Sequence, residues 1–198
     1  MSVQMRPATA DRWSDLVKVF GRRGEDSSWC WCRLFLRSAT CETEALRPRP
    51  DNRDALRQEI THAAVPPGLL AYVDDQPVGW TKVGPRSDFP RVSGNRALAK
   101  VLTEDPGVWW VTCFAVDNRH RRSGVGSALL KAAVEFAREN GATAVEGHPV
   151  DVAALSAARV GGSAVFTGTV AMFSAAGFTE VARTYPTRPV MRLLVGRK

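Results

Sequence analysis

Cys113-Phe-Ala-Val-Asp-Asn-Arg-His-Arg-Arg-Ser-Gly-Val-Gly-Ser-Ala-Leu-Leu130 is the stretch on which the fold turns. It overlaps the apolar run Val108 to Val116, VWWVTCFAV, whose β-branched and aromatic residues read as a central strand buried on both faces. From Val125 onward, Val125, Leu129, Ala132, Ala133, Phe136 and Ala137 form one apolar helix face, Lys131, Glu135 and Arg138 lie outside it, and Gly141 supplies the stop. Strand, loop and helix therefore follow one another. Gly124 and Gly126 open the helix behind Arg119, Arg121 and Arg122, so free backbone N–H groups at its positive end face a basic loop. Such a helix start is a phosphate cradle, with glycine for close backbone approach and arginine for bidentate reach.

Two phosphate motifs are excluded by residue type. A Walker A loop ends in Gly-Lys-Ser/Thr, whereas Gly126-Ser127-Ala128 stands here. A dinucleotide fingerprint needs a third glycine where Leu129 stands, close to the start of a βαβ fold.

Outward from this centre, Ala142 to Val150 reads as a strand, Thr167 to Ala176 as a helix ended by Gly177, and Thr179 to Thr184 with Val190 to Val195 as a C-terminal hairpin. Upstream, Leu69 to Val73 and Val78 to Val83 flank Asp74-Asp75-Gln76-Pro77 as a second hairpin. Gly84 to Gly107 is long and polar around one helical piece, Ala97 to Leu102, and a loop of that length often serves as a lid. Val3 to Met5 reads as a strand, Ala10 to Phe20 as a helix stopped by Gly21, Ser38 to Arg53 as a loop, and Asp54 to Ala63 as a helix. The fold class expected is α/β, a mixed and mostly antiparallel central sheet of six to seven strands with helices on both faces.

The chain of 198 residues has room for one domain over 1–198. Lys and Arg number 27 against 20 Asp and Glu, a net charge of +7 that suits an anionic cofactor; the arginines form no basic stripe interleaved with aromatics, so nucleic acid is not the expected partner. The N-terminus carries no secretory h-region and no apolar run reaches the length of a membrane span, so a cytoplasmic location without membrane contact is expected. Cys30, Cys32, Cys41 and Cys113 are too few for a disulfide scaffold and are expected reduced. The Cys-x-Cys spacing with a distant His62 is poor for zinc, so no metal is expected and the thiols read as small buried hydrophobes.

Arg121, Gly124 and Gly126, preceded by Phe114-Ala-Val116, resemble the Arg-x-x-Gly-x-Gly motif of the GNAT superfamily of acyl-CoA N-acyltransferases. Ala171-Met-Phe-Ser-Ala-Ala-Gly-Phe178 is similar to the superfamily's second conserved stretch. The match covers roughly Trp109 to Val195, and within the superfamily the chain is similar to bacterial members with a Trp-Cys-Trp-Cys segment and a Glu-Gly-x-Pro-Val-Asp strand end. The resemblance implies an N-acetyltransferase with its acetyl-CoA core over about 108–141. Phe114, Ala115 and Val116 would hold the pantetheine arm through backbone atoms, and Arg121, Arg122, Ser123, Gly124, Val125, Gly126 and Ser127 the pyrophosphate.

The chain departs from the superfamily where the proton chemistry lies. The tyrosine that often acts as general acid aligns with Phe173, and Val108 to Val116 holds no carboxylate to serve as base. Glu146 and His148, two apart on the next strand, share one face, so His148 is a candidate base that Glu146 orients or assists. Tyr185 and Ser174 are weaker candidates for the acid. Trp29 and Trp31 either line the acceptor pocket or belong to the core. The expected acceptor is a primary amine of a small molecule or peptide; an acyl-CoA-binding module without chemistry stands as the alternative, and monomer and homodimer are both open.

Overall fold

In a computed structural model that describes residues 2–36, 50–157 and 162–196, the strands are β1 (Gln4–Pro7), β2 (Gly68–Val73), β3 (Gln76–Pro85), β4 (Val108–Val116), β5 (Ala144–Gly147), β6 (Thr179–Tyr185) and β7 (Arg188–Leu194). They form one sheet in the order β1-β2-β3-β4-β5-β7-β6, antiparallel throughout except for the parallel pair β4–β5. Helices α1 (Trp13–Phe20), α2 (Asn52–His62) and α3 (Val125–Glu139) are joined by the shorter helices Val152–Ala157 and Val170–Ala175.

All six residues of β2 are buried because both sheet faces are covered. Leu69, Ala71 and Val73 pack with Leu129, Leu130 and Ala133 of α3, while Leu70 and Tyr72 pack with Leu16, Phe20, Leu56 and Ile60 of α1 and α2. Each fully buried leucine in these layers contributes roughly 1.5–3 kcal/mol relative to exposure. The buried stripe of α3 includes Leu130 and Val134, while Ala132 and Phe136 are only partly covered, so the face is turned slightly from the one its sequence suggests. Asp74 and Asp75 make the β2–β3 turn with φ of 49° and 57°, the left-handed pair that a two-residue hairpin needs and that aspartate tolerates.

Three expected elements differ in the structure. The strand expected over Ala142 to Val150 keeps a ladder only over Ala144–Gly147, with an isolated bridge from Val150 to Thr169 beyond it, and Pro149, which has no N–H to give a ladder, lies between them. The segment between β3 and β4 is not a bare loop: it holds the short helices Pro90–Ser93 and Arg96–Ala99 and sinks Phe89, Val92 and Leu98 under Trp110 and Val190. With its own apolar anchors it is fastened to the sheet. β4, expected to be buried on both faces, is buried from Val108 to Thr112 and half-buried from Cys113 to Val116.

Among the described residues no helix is long and apolar enough to cross a membrane, and no group of three or more His, Cys, Asp or Glu is placed to hold a metal ion. Cys41 lies outside the described residues.

Candidate active site

The uncovered half of β4 is an opening in the sheet. β5 pairs with β4 only up to Val111 opposite Gly147, while β3 continues along the other edge to Val116 opposite Gly79. Cys113 pairs with Lys82 and Val111 with Val83, which leaves Thr112 as an extra residue, a bulge at the point where the two parallel strands part. Beyond it, on the edge away from β3, Phe114, Ala115 and Val116 have no ladder partner among the described residues. Phe173 closes the wedge from the α3 side: a Cβ on Gly147 would stand 2.5 Å from its ring, and Phe114 and Phe178 meet it edge-on with centroids at 6.4 Å and 4.8 Å. The turn Gly162–Thr167 packs against β4 across the gap.

The open edge runs straight into the start of α3. Asp117 accepts a hydrogen bond from the Arg119 N–H at 2.9 Å, which starts the connecting turn, and Ser123 Oγ donates to the His120 carbonyl at 2.6 Å. Arg122 and Gly124 take φ of 61° and 88°, and no side chain caps the helix. The first helical bond is from Ala128 N–H to the Gly124 carbonyl at 3.0 Å, so the N–H groups of Val125, Gly126 and Ser127 have no acceptor among the described residues. Arg121 and Arg122 are exposed beside them. A Cβ on Gly126 would meet only Met172 Sδ at 3.5 Å, an ordinary contact, so the protein's own packing does not require glycine there. Uncapped N–H groups, the helix dipole and two exposed guanidinium groups suit a pyrophosphate.

On the opposite sheet face, Glu146 is fully buried and both of its oxygens are engaged. Arg86 Nη1 donates to Oε2 at 2.7 Å and Arg192 Nε to Oε1 at 2.7 Å. Arg86 also reaches the Thr103 carbonyl and Arg192 Nη2 the Thr103 hydroxyl at 3.1 Å, so the cluster ties the β3–β4 segment to β5 and β7. Glu146 consequently has no oxygen left to orient His148. That task falls to Thr184 and the Arg188 carbonyl, which sequence reasoning missed: His148 Nε2 lies 3.1 Å from the carbonyl, which can only accept, and 2.9 Å from the Thr184 hydroxyl, so Nε2 carries the proton. The Nε2 proton is thereby fixed and Nδ1 carries the free lone pair. Burial lowers the His148 pKa from 6.5 to about 4, so the ring is neutral at physiological pH, and its ordinary pKa does not apply here. Trp110 Nε1 and Thr112 Oγ1 are buried on β4 without hydrogen-bond partners among the described residues.

Trp31 is core. It is fully buried, stacks on Trp13 at 5.6 Å, meets Phe20 edge-on at 5.1 Å and donates its Nε1 hydrogen to the Asp26 carbonyl at 2.8 Å, so it has no surface to offer an acceptor. Trp29 is half-buried against Phe20 with the Arg23 guanidinium over its ring. Tyr185 and Ser174 are both exposed.

The sequence model of the acetyltransferase (GNAT) family matches residues 31–161, which spans the parted strands and the uncapped helix start. The chain belongs to the GNAT acetyltransferase family. No curated protein matches the sequence. Solved structures with the same fold include the GNAT domain of the S. lividans protein PAT, at TM-score 0.57 and 18% identity over 98% of this chain and 92% of that one. The ribosomal-protein-alanine N-acetyltransferase of Brucella melitensis aligns at TM-score 0.54 and 18% identity over 97% and 99% of the two chains. The PaiA N-acetyltransferase of Thermoplasma acidophilum, in complex with coenzyme A, aligns at TM-score 0.52 and 13% identity over 98% and 100%. At these identities the likeness is one of fold.

Proposed function

We propose that this acetyltransferase moves the acetyl group of acetyl-CoA to the primary amine of a small molecule or peptide by direct attack on the thioester. The observation that carries the reading is the continuity of the unpaired β4 edge with the three unclaimed N–H groups of α3. Phe114, Ala115 and Val116 accept the pantetheine arm as an added strand, and Arg121, Arg122 and the backbone from Ser123 to Ser127 hold the pyrophosphate.

In the transfer a C–N bond forms, the C–S bond breaks, and one proton leaves the amine while one joins the thiol. The bare Nδ1 of His148 takes the amine proton, directly or through one water. A weakly basic imidazole suffices, because the nitrogen becomes far more acidic once the C–N bond has formed. Phe173, buried at the wedge, has no proton to give, so water protonates the departing sulfur. Glu146 is a positioning residue that holds the end of β5 in place.

Purified protein incubated with acetyl-CoA and a panel of primary amines, aminoglycosides and lysine peptides tests this, against a no-acceptor control. Acceptor-dependent release of free thiol is the expected result. Calorimetric binding of acetyl-CoA with no release to any amine would favour an acyl-CoA-binding module, and absence of binding would overturn the cradle assignment.

A further inference from the structure

The Trp-Cys-Trp-Cys loop meets β4 through its second thiol. Trp31 and Cys32 are consecutive left-handed residues with φ of 43° and 54°, and the turn they make brings Cys32 beneath β3 and β4. There Cys32 Sγ lies 3.2 Å from Cys113 Sγ, so the two thiols share a hydrogen bond, and Trp80 Nε1 donates to Cys32 Sγ at 3.1 Å. Lys82, buried and paired with Glu59 at 2.5 Å, occupies the register position opposite Cys113. The Cys113 thiol, the indole N–H and the Lys82 charge favour the thiolate at Cys32, while that same contact and burial push the Cys113 thiol up. Acetyl transfer as described above uses neither sulfur.

We propose that Cys32 and Cys113 form a redox-modification site, in which hydrogen peroxide oxidises the two sulfurs to a disulfide and the bond shuts down acetyl transfer. The Cys32 sulfur attacks a peroxide oxygen, the O–O bond breaks and one water leaves as the sulfenic acid forms. The Cys113 sulfur then displaces the hydroxyl from Cys32, the S–S bond forms and a second water leaves. Two thiols lose two electrons in total, and the peroxide gains them.

The sulfurs have to close from 3.2 Å to about 2.05 Å, which draws Cys113 toward the loop. Cys113 stands between the bulged Thr112 and Phe114, and its carbonyl accepts from Thr81 Oγ1 at 3.0 Å, so the displacement is felt at the strand edge assigned to the pantetheine arm. A misplacement of about 1 Å at a reacting edge is enough to lower a rate about 100-fold. This consequence rests on the acetyl-CoA reading, whereas formation of the disulfide does not.

The test uses the full chain, reduced and then exposed to hydrogen peroxide, alkylated, digested without reductant and read by mass spectrometry. A peptide linking Cys32 to Cys113, lighter by two hydrogens and released by dithiothreitol, is expected, both in the wild type and in Cys30→Ala. Separate oxidation of the two thiols, or a link from Cys32 to the half-buried Cys30 in its place, would overturn the site. Acetyl transfer by the linked protein, followed through the mass of the acetylated amine, should fall at least tenfold and return with dithiothreitol. Full activity in a fully linked sample would overturn the control of transfer while leaving the disulfide established. A protein inactive in both redox states would count against the acetyl-CoA reading, with the peptide map still deciding the site.

Discussion

Arg86 and Glu146 stand 60 residues apart in sequence and meet at 2.7 Å beneath the sheet, with Glu146 fully buried and Arg86 nearly so. The pair fastens the long β3–β4 segment to the strand that ends at the wedge between β4 and β5. Removing one charge from such a pair leaves the other in a medium that solvates it poorly. Glu146→Gln is therefore expected to cost about 3–5 kcal/mol of stability, because Arg86 and Arg192 both lose their counter-charge. Urea denaturation reads the loss. If Glu146 only positions β5, the KM for acetyl-CoA and kcat shift together in the folded fraction, and the pH profile of kcat keeps its shape.

The sheet and the strand–turn–helix start of α3 were legible because their signals are local. VWWVTCFAV names a strand by its run of β-formers, and Gly124 and Gly141 mark helix ends that their φ of 88° and 87° bear out. The partnerships were not legible. Nothing near Arg86 signals that it reaches Glu146, and nothing in the spacing of Cys32 and Cys113, 81 residues apart, brings the sulfurs together. Periodicity also made β5 too long, since an alternating pattern continues through His148 and Pro149 although the ladder stops at Gly147. Trp31 illustrates the same limit: an aromatic residue beside cysteines reads equally well as pocket wall or core until its neighbours are known.

His148 gives the fold a pH dependence with a definite sign. Its pKa falls from 6.5 to about 4 on folding, so the unfolded chain binds the proton first as pH drops. Stability is complete above pH 6.5, declines between pH 6.5 and about 4, and is flat in this respect below that, for a total of about 3 kcal/mol. Comparing urea midpoints of the wild type and His148→Ala across this range isolates the contribution, which should vanish in the variant. A wild-type curve no steeper than the variant's would show that the ring is more solvated than its contacts indicate. The same ring as base implies that kcat/KM for a fixed acceptor drops at least 100-fold in His148→Ala.

Trp31→Ala and Trp29→Ala separate core from pocket. Trp31 touches Trp13 and Phe20 from a fully buried position, so its truncation is expected to cost about 3–5 kcal/mol. The KM for the acceptor should stay unchanged in whatever fraction folds. Trp29 is half-buried, and its removal should cost about 1–2 kcal/mol, near the middle of single-substitution effects. Thermal melts and acceptor titrations on both variants decide the matter; a raised acceptor KM in Trp29→Ala alone would place that indole against the amine substrate.

Gly126 and Gly124 test the cradle from two sides. A methyl on Gly126 meets only Met172 Sδ at 3.5 Å, so Gly126→Ala should fold with wild-type stability. Gly126→Trp should also fold, because its indole projects from the uncapped end of α3, but it fills the space assigned to the pyrophosphate. Calorimetry should then show acetyl-CoA affinity reduced at least 100-fold, about 2.7 kcal/mol or more. Gly124→Ala differs in kind: nothing crowds the added Cβ, yet φ of 88° is strained for any residue with a side chain, so stability itself should fall by about 1 kcal/mol. A folded Gly126→Trp protein that binds acetyl-CoA as tightly as the wild type would move the pyrophosphate away from α3. It would leave the three unclaimed N–H groups to water.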